Sequence, residues 1–409
     1  MLRKESDNLG SIDLTNDALY GIHTARALKN FDCADRPVNY ALIQGLVTVK
    51  KACALANMGT KVLDQDLGTA IIESCDELLA GQYQDAFVTD ALQGGAGTST
   101  NMNVIEVIAN LALLKLGHNK GDYHILHPLN HVNMSQSTND TYLTALRIAA
   151  INKIRTLADA LAALQESLQL TEESFRDVLK LGRTQLMDAL PITMGQEFGA
   201  YARAISRDRW RIYKVEERLR EINLGGTAIG TGLNASKAYI YMATDYLQQL
   251  TGLGLARTDL LIDTTQNMDV FVEVSGFLKA CATNLIKIAS DIRLMASGPS
   301  GGFGELNLEP RQAGSTIMPG KVNPVICEMT IQAGLKTIGN DAVITQASYL
   351  GQLDLNAYGP LIADSLLESL DLLIKATKGF DTKCIQTLEA NREHCRQQVE
   401  NSSALAAAF

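Results

Sequence analysis

The placing of proline constrains this 409-residue chain more than any other feature. Eight prolines occur, at positions 37, 128, 191, 299, 310, 319, 324 and 360, and none interrupts residues 192–298. Proline breaks helix interiors, so such gaps permit very long helices. The apolar spacing argues that they exist. Ile151, Ile154, Leu157, Leu161, Leu164 and Leu168 recur at steps of three and four, one stripe of a helix. Phe277, Leu278, Cys281, Leu285, Ile288 and Ile292 repeat the pattern, and residues 361–376 give a third case. These stripes outlast the usual helix of roughly 8–20 residues, which favours a bundle. Strand-like alternation is scarce. The expected fold is all-α: a long-helix bundle over 139–392, preceded by a mixed helix-and-loop N-terminal domain over 1–138.

Composition then excludes several classes. A formal net charge of −9 and the lack of any Lys/Arg-rich run argue against a nucleic-acid partner. The seven cysteines (33, 53, 75, 281, 327, 384 and 395) are scattered and never form C-x-x-C. That pattern suggests reduced thiols in a cytoplasmic protein. The opening MLRKESDNLG has no apolar run, so no secretory signal is expected. No segment approaches the roughly 18 apolar residues of a membrane span. The bundle's apolar stripes are wider than one neighbour covers, so a homo-oligomer is expected.

Four polar, helix-breaking patches interrupt the apolar pattern: GGAGTSTNMN (94–103), HVNMSQSTND (131–140), GRTQLMD (182–188) and GSTIMPGKVNP (314–324). No helix or strand period runs through the last, which reads as a loop. Its glycines let the backbone approach a ligand, and its amides with Lys321 and Asn323 would make a socket for a carboxylate. The phosphate-loop spacing fails there, because Val322 follows Lys321. The patches share neutral donors: Thr98, Ser137, Thr138, Asn139, Thr184 and Gln185. Such groups bind carboxylates and stabilise charge developing on them. Ser, Thr and Asn also mark helix N-caps, and SQSTND ahead of a helix suits that role too. Four such patches in one chain weigh against capping alone. GGTAIGTG (225–232) follows no expected strand and has no G-x-G-x-x-G, so a nucleotide site is rejected. His127 and His131 stand four apart, but Pro128 disrupts a regular helix and no further ligand completes a set. No metal and no cofactor are expected.

GSTIMPGKVNP resembles the signature loop G-S-S-x-M-P-x-K-x-N of the aspartase/fumarase superfamily, with Thr316 replacing the second serine. The other three patches resemble the family's remaining regions, in order and over nearly the whole chain. The resemblance implies an all-helical homotetramer whose active sites each combine regions from three subunits. It implies that Thr98, Ser137, Thr138, Asn139, Thr184, Lys321 and Asn323 bind a dicarboxylate, with Gln185, Thr316 and Met318 beside them. It also implies that Ser315 removes the Cβ proton. Fumarases that the chain resembles carry histidine in G-R-T-H, where it helps handle the proton on hydroxide. Gln185 cannot titrate. Ammonia leaves without acid assistance more readily than hydroxide, so the expected reaction is deamination of L-aspartate to fumarate. The rivals are a fumarate hydratase, a lyase for another substituted aspartate, and a non-catalytic structural protein on the same scaffold. Ile105 stands where the family usually has asparagine, and Leu129 and Asn130 depart from H-P-N-D-H-V-N, the accessory dicarboxylate loop of fumarases. Residues 393–409 are expected to begin a C-terminal domain that family members continue and this chain truncates.

Overall fold

The computed structural model describes residues 2–403. Its elements in chain order are β1 (Leu2–Asp7), β2 (Gly10–Thr15), α1 (Ile22–Asn30), α2 (Tyr40–Gly59), α3 (Gln65–Leu79), α4 (Thr98–Lys115), α5 (Thr138–Ser174), β3 (Leu179–Thr184), β4 (Met187–Thr193), α6 (Met194–Leu219), β5 (Glu221–Ile222), α7 (Lys237–Thr251), β6 (Ala256–Arg257), α8 (Leu261–Gln266), α9 (Asp269–Met295), β7 (Leu306–Asn307), α10 (Val325–Tyr349), α11 (Gly359–Lys383), β8 (Glu389–Ala390) and α12 (Arg392–Glu400). The fold is mostly helical, as the proline gaps imply. The longest helix, α5, has 37 residues. Among the described residues no helix is long and apolar enough to cross a membrane.

The chain forms two compact units. The first holds residues up to 152, 216–274 and 342–368. Its centre is α2, which packs against α3, α4 and α7. Leu42, Ile43, Leu46, Val49, Ala52, Cys53 and Ala56 of α2 are all buried. Asn39, Asp64 and Ser236 cap α2, α3 and α7 by accepting backbone N–H bonds, which fixes where those helices start. Helix α1 has no such side chain at its own N-cap, Gly21. Glu106, buried on α4, supplies it instead, accepting from Gly21 N (2.8 Å), His23 N (2.8 Å), Thr24 N (3.1 Å) and Thr24 Oγ1 (2.6 Å). The antiparallel β1–β2 ribbon, which pairs Leu2 with Thr15 and Asp7 with Gly10, departs from the helix-and-loop expectation for this region. Charges interrupt both strands, and the one apolar alternation, Ile12 and Leu14, is too brief to mark a strand.

The second unit holds residues 153–215, 275–341 and 369 onward. Its core contains Ile154, Leu157, Leu161, Leu164 and Leu168 of α5 and Leu278, Cys281, Leu285, Ile288 and Ile292 of α9, all at most 1% exposed. Phe277 is only half-buried, at the edge of its stripe. Leu370, Leu373 and Phe380 of α11 complete the pattern. The GRTQLMD patch is not an irregular loop but the tip of an antiparallel hairpin, β3–β4, which pairs Arg183 with Asp188 and Thr184 with Met187. Strands β7 and β8 pair Leu306 with Ala390 and so hold the segment before the Ser315 loop against the start of α12.

Candidate active site

In the first unit the structure joins the first two patches. GGAGTSTNMN is half turn and half helix: Gly97 caps α4 with φ +94, and a Cβ there would overlap the Tyr142 ring. Only glycine meets both demands. Thr98 opens the helix with its Oγ1 donating to Gly95 O (2.7 Å), and Asn101 lies one turn on. Asn101 Nδ2 donates to Thr138 Oγ1 (3.1 Å) and to Asn133 Oδ1 (3.3 Å), while its own buried Oδ1 has no partner. Ser137 precedes α5, and its Oγ accepts from Asn139 N (3.3 Å). Asp140 reaches back to accept from Ser137 N (2.9 Å), closing a capping box. SQSTND is therefore a cap and a donor patch at once. Asn139 Nδ2 donates to Ala228 O (2.7 Å), and Gly225 N and Thr227 N donate to Asp140 (3.0 and 3.1 Å). The glycine-rich 225–232 segment thus buttresses the patch.

Two buried charges support this patch: Asp140 belongs to it, whereas Lys50, distant in sequence, carries no sequence signal. Lys50 lies on α2 and is fully buried, donating to Asn133 Oδ1 (2.8 Å) and Gln136 Oε1 (2.9 Å). Burial pulls its ammonium down to about 8. Burial pushes the Asp140 carboxyl up to about 6, against the amides of Ser137, Thr227 and Gly225 and the Lys50 charge. For Lys50 the folded chain holds the proton less tightly than the unfolded one. Its contribution to stability therefore rises as pH climbs from about 8 to 10.5. The span corresponds to on the order of 3 kcal/mol. Lys50→Met should flatten that rise, read as denaturant midpoints between pH 8 and pH 10. An unchanged slope in the variant would assign it to other groups.

The second unit carries the other two patches. At the hairpin tip, Gln185 (φ +54) and Leu186 (φ +64) both occupy the left-handed region, the two-residue turn that Asn-Gly usually fills. Each such non-glycine residue costs about 1–2 kcal/mol. Thr184 and Gln185 are exposed there. Ala96, Ser135 and Thr227 are strained likewise (φ +56, +65 and +57), so such backbone recurs in and beside the polar patches.

The Ser315 loop is pinned at its base and open at its tip. Gly314 N donates to Lys321 O (2.9 Å), and Asn323 Nδ2 donates to Gly314 O (2.8 Å). A Cβ at Gly314 would overlap the Lys321 carbonyl oxygen, so the closure demands glycine. Within the tip, Ser315 Oγ accepts from Ile317 N (3.2 Å) and Met318 N (3.1 Å). Thr316, Met318 and Lys321 are exposed, and Lys321 and Asn323 line an open cleft of about 820 Å³ with Arg293, Asn307 and His394. Among the described residues neither Thr184 nor Gln185 hydrogen-bonds to this loop, and no group of three or more His, Cys, Asp or Glu side chains is placed to hold a metal ion. Thr98, Ser137, Thr138 and Asn139 belong to the first unit; Thr184, Gln185, Ser315, Thr316, Met318, Lys321 and Asn323 belong to the second.

Long helices interrupted by polar turns, with a serine oxygen that accepts from two amides, make a mostly helical scaffold. A family model described as "Lyase" matches residues 10–339. Aspartate ammonia-lyase of Bacillus subtilis is 45% identical over 98% of this chain and 85% of its own length. Aspartate ammonia-lyase of Escherichia coli is 44% identical over 98% of this chain and 84% of its own. Among solved structures, fumarate lyase:delta crystallin from Brucella melitensis bound to cobalt superposes with a TM-score of 0.97 at 46% identity, covering 100% of this chain and 89% of that one. Class II fumarase from Schistosoma mansoni gives a TM-score of 0.96 at 32% identity, with the same coverage. The chain belongs to this lyase family, the aspartase/fumarase superfamily.

Proposed function

We infer that this enzyme is a carbon–nitrogen lyase that reversibly eliminates ammonia from L-aspartate to give fumarate. The observation that carries the reading is the pair of amide N–H groups converging on Ser315 Oγ. Serine is a poor base at its ordinary pKa, and donors aimed at the oxygen lower the cost of the alkoxide. Ser315 then takes the proton from the carbon bearing the distal carboxylate. The electron pair left behind spreads into that carboxylate as an aci-carboxylate. It returns to form the double bond as the carbon–nitrogen bond breaks and ammonia leaves with its own pair. The step balances without an oxidant or reductant, and no cofactor is assigned.

The substrate's two carboxylates are the reason for so many neutral donors. We assign Thr98, Ser137, Thr138 and Asn139 from one unit to them. Thr184, Gln185, Thr316, Met318, Lys321 and Asn323 complete the set from the other. Gln185 favours deamination over hydration because it donates and accepts hydrogen bonds without titrating. The curated relatives described above, all aspartate ammonia-lyases, support the same choice.

We further propose a homotetramer in which copies of the chain complete one another's sites. Helix α10 is apolar on more than its buried side: Cys327, Ile344 and Ala347 face the core while Met329 and Leu335 are exposed. Trp210 and Tyr213 of α6 are likewise bare. Such faces are covered in bundles by further helices. In this reading residues 1–138 form the N-terminal domain, 139–392 the shared bundle, and 393–409 the start of a C-terminal domain, of which 404–409 lie outside the described residues. The seven free thiols suit the reducing cytoplasm.

The test supplies L-aspartate and L-malate in parallel to the purified protein and follows fumarate by its ultraviolet absorbance. Fumarate from aspartate alone is expected. Fumarate from malate alone would make the protein a hydratase, and silence on both would leave the scaffold without this chemistry.

A further inference from the structure

A fully buried carboxylate lies behind the strained hairpin that presents Thr184 and Gln185. We propose that Glu305 is a positioning residue for substrate binding: through Arg183 it fixes the Gln185–Leu186 turn and ties it to the segment leading into the Ser315 loop. The proposal rests on the assignment of Thr184 and Gln185 to the substrate made above.

Glu305 has no exposed surface. Arg183 Nη1 donates to its Oε1 at 2.6 Å. Lys180 Nζ lies 3.2 Å from its Oε2, an ion pair off the hydrogen-bond axis, and donates to Glu197 Oε2 at 2.7 Å. Two cations thus meet two carboxylates, and the cluster is neutral. Lys180 and Arg183 both lie on β3, the strand that runs into Thr184. Arg183 is held in every direction: its guanidinium stacks 4.1 Å above the Phe303 ring, and Nη2 donates to Gln398 Oε1 at 3.2 Å. The planar guanidinium makes such multiple fixing specific.

The far side of the cluster is equally anchored. Glu305 N donates to Met295 O at 2.9 Å and Asn391 N donates to Glu305 O at 2.9 Å, so the carboxylate's own backbone is pinned between α9 and α12. His394 Nε2 sits 2.8 Å from Phe303 O, and Gln398 Nε2 donates to the same oxygen at 3.2 Å. Helix α12 therefore grips the Phe303–Glu305 segment, and that segment grips Arg183. A buried ion pair is a costly way to add stability, since apolar groups of equal volume do as well or better. What it supplies here is one orientation for Arg183, two residues before the turn and next to Thr184. A turn with two non-glycine residues at positive φ holds its shape only when its surroundings over-determine it.

The experiment compares the assembled wild-type enzyme with Glu305→Gln, Thr184→Ala and the double variant. Glu305→Gln keeps the shape and removes the charge. KM for L-aspartate should rise about tenfold or more, with kcat changing by less than about threefold. In the double variant the Glu305→Gln effect should largely vanish, because the hydroxyl it positions is already gone. An unchanged KM, or effects that multiply in full, would overturn the proposal. Hydrogen exchange of residues 182–188 gives a readout independent of turnover. Exchange should accelerate there in Glu305→Gln and stay as in wild type in α9 and α11; equal rates in the hairpin would also overturn it. If wild type makes no fumarate from L-aspartate, the functional reading fails and the exchange result alone decides the hairpin lock. Should Glu305→Gln not assemble, Arg183→Lys carries the same measurements, since it keeps a charge but loses the Phe303 stack and the Gln398 bond. A smaller KM rise, of about threefold, is then expected, and none would count against the lock.

Discussion

Replacing Ser315 with alanine should lower kcat for deamination of L-aspartate by about three orders of magnitude or more, within the range expected for loss of a positioned proton acceptor. The substitution removes one oxygen from a half-buried position on a loop whose base is closed by other atoms. Gly314, Lys321 and Asn323 keep their mutual bonds, so the loop should retain its course. What is lost is the acceptor for Ile317 N and Met318 N and, with it, the stabilised alkoxide. KM should change little, because the assigned carboxylate donors remain. Steady-state kinetics alongside a thermal melt read both parts. A variant with near-normal turnover and normal melting would remove Ser315 from the role of base and hand it to another group.

The largest loss of stability should follow Glu106→Ala. One carboxylate accepts four hydrogen bonds at the start of α1, and that helix has no side-chain cap of its own. The first turn's N–H groups have no intrahelical partner, so Glu106 is what satisfies them. A stranded buried donor costs about 1–3 kcal/mol, but the sum is reduced because alanine also ends the burial of a charge. That burial is what pushes the Glu106 carboxyl above its ordinary range in spite of the four donors. The net cost should be about 4 kcal/mol, at the upper end for a single substitution. Urea unfolding of variant and wild type under identical protein concentration reads it. A change below about 1 kcal/mol would mean that Ile22 and Ala25, both buried, dock α1 by apolar contact alone.

Much of this is legible in the sequence alone. Proline gaps and three- and four-residue spacing located α5, α9 and α11, because proline's steric effect and apolar burial act locally along a helix. Pro128 excluded a regular helix, and His127–Val132 contains a single π-helical turn. The four polar patches were found because hydroxyls, amides and glycine cluster where an apolar pattern breaks. Lys50 and Glu305 were not found: one charged residue in an apolar helix or a short extended segment has no period, and its partners are distant in sequence. The left-handed backbone of Ala96, Ser135 and Gln185 was equally hidden, since these residue types rarely adopt it and nothing local demands it. The β3–β4 hairpin escaped for a related reason. Its turn is Gln-Leu rather than Asn-Gly, so its shape comes from tertiary contacts to Arg183 and not from turn chemistry.

The bond from Gly314 N to Lys321 O turns the tip of the Ser315 loop into a small ring rather than a slack connection. Surface loops ordinarily absorb insertions and deletions at little thermodynamic cost. A ring does not, because one residue more or fewer rotates every amide within it. Length variation between Gly314 and Lys321 would carry the Ile317 and Met318 donors away from Ser315, so the count of residues in this segment is constrained as strictly as Gly314 and Ser315 themselves.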